Sequence, residues 1–106
     1  MIIDHRTYTL HPGAAAEYFR LYEAEGLAVQ KKHLVNMLGY FSTETGPLNQ
    51  VIHLWAYRDA GDRERKRAAL QADPAWQAYV PKIRRLIVHQ ETKLIVPAPF
   101  CKLDLQ

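Results

Sequence analysis

Cysteine is nearly absent: Cys101 is the single thiol among 106 residues. No intrachain disulfide can form, which fits a reducing compartment. Cys101 has no flanking motif that would make it a nucleophile and reads as an inert thiol. Serine is as scarce. Ser42 is the only one and has no triad context, so covalent acyl chemistry is poorly supported. The spacings His-x-x-His, Cys-x-x-Cys and His-Glu-x-x-His are missing, so no metal and no cofactor are expected. Gly39 and Gly46 stand isolated, and no glycine-rich loop is available to cradle a phosphate. No stretch approaches the roughly 20 apolar residues that a membrane span needs. The opening Met1-Ile2-Ile3-Asp4-His5-Arg6 has no basic segment followed by an apolar run. It reads as no secretory signal, and the expected location is the cytoplasm.

What is present is ordinary for a folded chain: 48% hydrophobic and 24% charged residues. The length suits one domain over 1–106, because two separate cores would each be too small to stand alone. The formal net charge is +3, much of it from the run Arg63-Glu64-Arg65-Lys66-Arg67. That run falls on an expected helix, is interleaved with Glu64, and follows Asp59 and Asp62. No aromatic residues accompany it. It reads as a solvated helix face, and no nucleic-acid partner is expected.

Ile2 to Leu10 alternates and is rich in β-formers, which predicts a first strand closed by His11-Pro12-Gly13. Ala14 to about His33 predicts a helix, with Ala15, Tyr18, Phe19, Tyr22, Gly26 and Val29 on one side. Gly26 marks a bend or break in it. Val35 to Thr45 and Asn49 to Tyr57 predict a hairpin through Gly46-Pro47-Leu48. Asp59 is an expected N-cap for a helix to about Ala72, and Asp73-Pro74 starts another. There Trp76, Tyr79, Val80 and Ile83 form a stripe read as core, or else as a wall of a cavity entrance. Pro81 is expected to kink or end that helix. Leu86 to Val96 predicts the last strand. The order βαββαβ is the ferredoxin-like, α+β arrangement: a four-stranded antiparallel sheet with its helices on one face.

Alternation along the third strand separates Ile52, Leu54 and Ala56 from Val51, His53, Trp55 and Tyr57. Assigning the aliphatic set to the helices leaves His53, Trp55 and Tyr57 on the opposite face, with Asp4, Arg6 and Tyr8 from the first strand and Tyr40 from the second. Such an aromatic face is more than a soluble monomer usually exposes. A second copy is the expected cover, giving a homodimer whose two sheets face each other as a dimeric α/β barrel. The space between the sheets would then be a small-molecule site. His53 and Arg6 are its catalytic candidates. His53 would act as acid or base with Asp4 or Glu44 as partner, and Arg6 would clamp a carboxylate or oxyanion. Asp4, Tyr8, Tyr40, Trp55 and Tyr57 are its ligand-binding candidates, suited to a small aromatic or amphipathic molecule. The competing reading is a structural or protein-interaction dimer in which arginine and aspartate satisfy each other.

Asp4-His5-Arg6-Thr7-Tyr8, Gly46-Pro47-Leu48-Asn49-Gln50, His53-Leu54-Trp55-Ala56-Tyr57, and Asp73-Pro74-Ala75-Trp76 with Pro81-Lys82-Ile83-Arg84 together resemble the NIPSNAP family. The resemblance runs from Ile2 to Phe100. It implies a dimeric α/β barrel of ferredoxin-like subunits and no settled reaction. Neighbouring barrel families include cofactor-free monooxygenases, so analogy of fold extends the expectation to cofactor-free acid/base or oxygenase-type chemistry. Asp4 stands where glutamate is common in the family, and its shorter arm would reach less far into a cavity.

Overall fold

In the computed structural model, which describes residues 1–106, the alternating β-formers build β1 over Ile2–Leu10. Gly13 turns the chain at φ +79°, with its N–H donated to Asn49 Oδ1 over 3.1 Å. The following helix is continuous but not uniform. α1 (Ala15–Leu21) passes through a π-helical turn (Tyr22–Gly26) into α2 (Leu27–Leu34). The π turn coincides with Gly26, where a Cβ would lie 2.7 Å from Cζ of Tyr79. Glycine is what lets the Tyr79 ring pack directly on this backbone. α2 ends at Val35, whose φ of 70° and ψ of −61° close a three-residue turn in which Asn36 N–H donates to Leu34 O over 2.8 Å.

β2 is shorter than expected, Met37–Ser42, and β3 spans Gln50–Tyr57. Asp59 caps α3 (Ala60–Ala72) by accepting from Asp62 N–H, and Asp73 caps α4 (Pro74–Arg84) by accepting from Ala75 N–H. α4 runs through Pro81 for another three residues rather than stopping there. β4 is Ile87–Ile95. The sheet order is β2-β3-β1-β4 with every neighbouring pair antiparallel, so β1 and β2 point the same way with β3 between them. This is the expected ferredoxin-like topology. No helix is long and apolar enough to cross a membrane.

The facing of the sheet is the reverse of the expectation. Val51, Trp55 and Tyr57 are 0% exposed and His53 is 1% exposed, while Ile52 and Leu54 are only half-buried. The aromatic set lies under the chain's own helices. Alternation sorts side chains into two groups but does not say which group meets the helices. Here ring volume decides: Tyr18, Tyr22 and Tyr79 come down from the helices and pack in one core cluster with Tyr8, Trp55 and Tyr57 from the sheet. Burying one such ring is worth on the order of 2–3 kcal/mol. The premise that these aromatics need a second copy to keep them dry is therefore overturned, and so is a chamber between two sheets lined by them.

The opposite face carries His5, Thr7 and Thr9 of β1 in register with Leu54, Ile52 and Gln50 of β3. Phe41 of β2 lies on this side opposite Ile52 and is 52% exposed, its ring folded over Gly39. One end of this face is covered. Ile3 and Ala56 are 4% and 0% exposed, and the chain beyond β4 returns far enough for Gln106 N–H to reach Asn36 Oδ1 at 2.7 Å.

Candidate functional site

Between the helices and the sheet lies a cavity of about 240 Å³. Its floor follows from register. Arg6 on β1 and Tyr40 on β2 both pair with His53 on β3, so the three side chains form one row across the helix-facing side. Tyr8 sits one pair further along. The Tyr40 ring stacks on His53 with centroids 4.5 Å apart, and Tyr8 meets His53 edge-on at 4.9 Å. Arg6 Nε donates to the Tyr8 hydroxyl over 3.0 Å. The roof comes from the helices. Tyr22 stacks on Tyr40 at 4.5 Å, Tyr79 lies 6.2 Å from Tyr22, and Trp76 lies 5.2 Å from Tyr79. His53, Tyr40, Tyr22, Tyr79 and Trp76 thus form one unbroken aromatic wall. The Tyr18 and Tyr40 hydroxyls share a 2.7 Å hydrogen bond, and Tyr22 donates to Gln30 Oε1 over 2.6 Å.

Of the residues singled out from the sequence, Arg6, Tyr8, Tyr40 and His53 line this cavity, while Asp4, Trp55 and Tyr57 do not. All three are fully buried behind it. Asp4 takes 2.7 Å contact from Arg63 Nε, with Arg6 at 3.6 Å and Arg67 at 3.9 Å. The basic run is accordingly not a wholly solvated face. Arg63 and Arg67 turn inward to Asp4, and Glu64 and Arg65 stay in water. Lining residues that the sequence did not single out for the site include Tyr18, Tyr22, Gln30, Arg67 and Arg84. The i, i+4 spacing of Tyr18 and Tyr22 was a usable signal. Trp76 and Tyr79 serve as core and as cavity wall at once.

Trp55 has an indirect part. Its indole Nε1–H donates to His53 Nδ1 over 2.8 Å, which places a lone pair on Nδ1 and the imidazole's proton on Nε2. Burial, aided by the nearby positive charge of Arg6 and Arg67, pushes His53 down to about 3. At neutral pH it is an uncharged hydrogen-bond donor. The expected acid/base pairing is not formed: Asp4 is held by arginine, and Glu44 is exposed in the hairpin loop. Burial raises the Tyr18, Tyr22, Tyr40 and Tyr79 hydroxyls well above the ordinary phenol value, so they too keep their protons. No group of three or more His, Cys, Asp or Glu side chains gathers where it could hold a metal.

The NIPSNAP family model matches residues 3–102. A NIPSNAP-family protein of unknown function from Agrobacterium tumefaciens superposes with a TM-score of 0.94 at 44% identity, over 98% of this chain and 94% of that one. A NIPSNAP-like domain protein from Burkholderia xenovorans gives 0.94 at 45% identity, over 99% of this chain and 90% of that one. The NipSnap homologue of Dictyostelium discoideum is 35% identical over 87% of this chain, but this chain spans only 40% of its length. Human NipSnap homologue 2 is 33% identical over 91% of this chain, which spans 33% of that protein. An antibiotic biosynthesis monooxygenase shares the fold, with a TM-score of 0.66 over 93% of this chain and all of that one, at 17% identity, which speaks for architecture alone. With the match running through every strand and helix, this chain belongs to the NIPSNAP family.

Proposed function

We propose that residues 1–106 act as one small-molecule-binding domain whose compact aromatic or amphipathic ligand sits between the sheet and helices of a single protomer. The observation that carries this reading is the ring-walled cavity of about 240 Å³. That volume is the liquid share of roughly eight water molecules. It lies below the ~300–1,000 Å³ of sites for drug-sized ligands, so a one-ring molecule suits it. The rings of Tyr8, Tyr79 and Trp76 and the edge of Tyr40, whose faces are taken by His53 and Tyr22, line the space for such a ring, and Arg6 and His53 offer donors for an oxygen atom on it. A neutral imidazole N–H beside a guanidinium favours negative charge gathering on that oxygen. The chemistry supported is polarisation of a ligand oxygen rather than proton abstraction by His53. Native mass spectrometry of the protein as purified, paired with a thermal-shift panel of single-ring aromatics, tests the reading. A retained small organic mass or a stabilising compound is expected. An empty protein that no compound stabilises overturns it.

The alternative is a non-enzymatic interaction module. It draws on the open sheet face, where exposed Phe41 lies beside half-buried Ile52 and Leu54, and on the exposed Val88, Leu94 and Ile95 of edge strand β4. These apolar groups also support a homodimer, on a footing different from the buried aromatics.

A further inference from the structure

We propose that the ligand of this cavity is an organic anion, of the class of single-ring aromatic carboxylates, held by neutral N–H and O–H donors as well as by arginine. This rests on the reading of the cavity as a ligand site. Its support is the inventory of buried hydrogen-bonding groups, the further lining amides of Gln71 and Gln90 being exposed. Arg6, Arg67 and Arg84 line the cavity, and no aspartate or glutamate does. His53 Nε2, Trp76 Nε1 and the Tyr79 hydroxyl are buried without a hydrogen-bond partner, and all three belong to cavity-lining residues. Nε1 of tryptophan can only donate, and Nε2 of His53 carries the proton because Nδ1 is occupied by Trp55. The carbonyl of Gln30 is already engaged by Tyr22.

A buried donor left unpaired forfeits the hydrogen bond it had with water, and a molecule that brings acceptor atoms recovers that cost. A cationic or donor-only ligand can pair only with the Tyr79 oxygen and leaves both ring N–H groups unpaired. Charge points the same way. Asp4 is the one carboxylate held by Arg6, Arg63 and Arg67, so this cluster carries more positive than negative charge, and two of its arginines face the cavity. The aromatic wall from His53 to Trp76 supplies the apolar half of the recognition.

Benzoate, benzyl alcohol and benzylamine share one ring and differ in charge, so calorimetric titration of the full chain with each separates the terms. Benzoate is expected to bind at least tenfold more tightly than benzyl alcohol, and benzylamine not to bind. Arg67→Gln is expected to weaken benzoate about tenfold and benzyl alcohol by much less. Tyr79→Phe keeps the ring wall and removes one unpaired donor. It is expected to weaken benzoate severalfold while raising the thermal midpoint of the unliganded protein, so the test stands even where Arg67→Gln folds poorly. Equal binding of benzyl alcohol, or preference for benzylamine, overturns the anion and leaves the cavity as a site. Binding of none overturns the anion as well. The cavity reading falls with it only when the native mass spectrum and the thermal-shift panel are also empty.

Discussion

The hydrogen bond from Trp55 to His53 decides what the imidazole can do. A histidine on an aromatic strand invites a role as base, and the sequence holds nothing to contradict it. Only packing shows that Nδ1 is spoken for and that burial drives the ring down to about 3 from an ordinary 6.5. The pH consequence has a definite sign. As pH falls through 6.5 the unfolded chain takes up a proton at His53, and the folded chain does not until about pH 3. The contribution of His53 to stability is therefore fully present above 6.5 and declines below it, by up to about 1.4 kcal/mol per pH unit. Urea midpoints measured between pH 7 and 5 should fall on this slope, and His53→Gln should flatten it. A wild-type midpoint that holds constant over this range contradicts the buried, neutral assignment. At this scale Arg6, Tyr8 and Tyr40 were legible as neighbours of His53, since cross-strand alternation groups them. Arg67 was hidden inside a basic run that looks uniform in sequence.

Capping and breaking signals carried most of the element boundaries. Asp59 and Asp73-Pro74 start helices where their side chains and the missing proline N–H say they should. Gly26 was legible as an irregularity, and its cause was not, because the contact that requires it comes from Tyr79, far along the chain. In an ordinary helix, replacing glycine by alanine gains about 1 kcal/mol. In Gly26→Ala the new methyl meets the Tyr79 ring at 2.7 Å and Tyr22 at 2.9 Å. Overpacking of this kind costs about 1–3 kcal/mol and outweighs the helical gain. The expected result is a net loss of about 1 kcal/mol, read as a lower thermal midpoint. A rise would show that the two rings yield freely and that the π turn has some other origin. Pro81 was misleading in the opposite direction, since a missing N–H late in a helix need not end it when Ile83 beyond it is buried.

For the whole molecule, the topology was readable from element order, and the layer assignment was not. Ile52 and Leu54 look like core and Trp55 looks like interface, yet the fold uses its rings to fill the wide gap under its helices. What remains outside is a sheet face bearing Phe41 and an edge strand with exposed Val88 and Leu94. Light scattering at micromolar concentration should return twice the chain's mass, and Phe41→Asp should halve it. A wild-type monomer would remove the dimer. Every strand and helix of one copy adds at least one side chain to the cavity lining. Occupancy is thus a private affair of each polypeptide. Saturation should follow a plain hyperbola with one equivalent per subunit, and severing any pairing should leave that curve where it was.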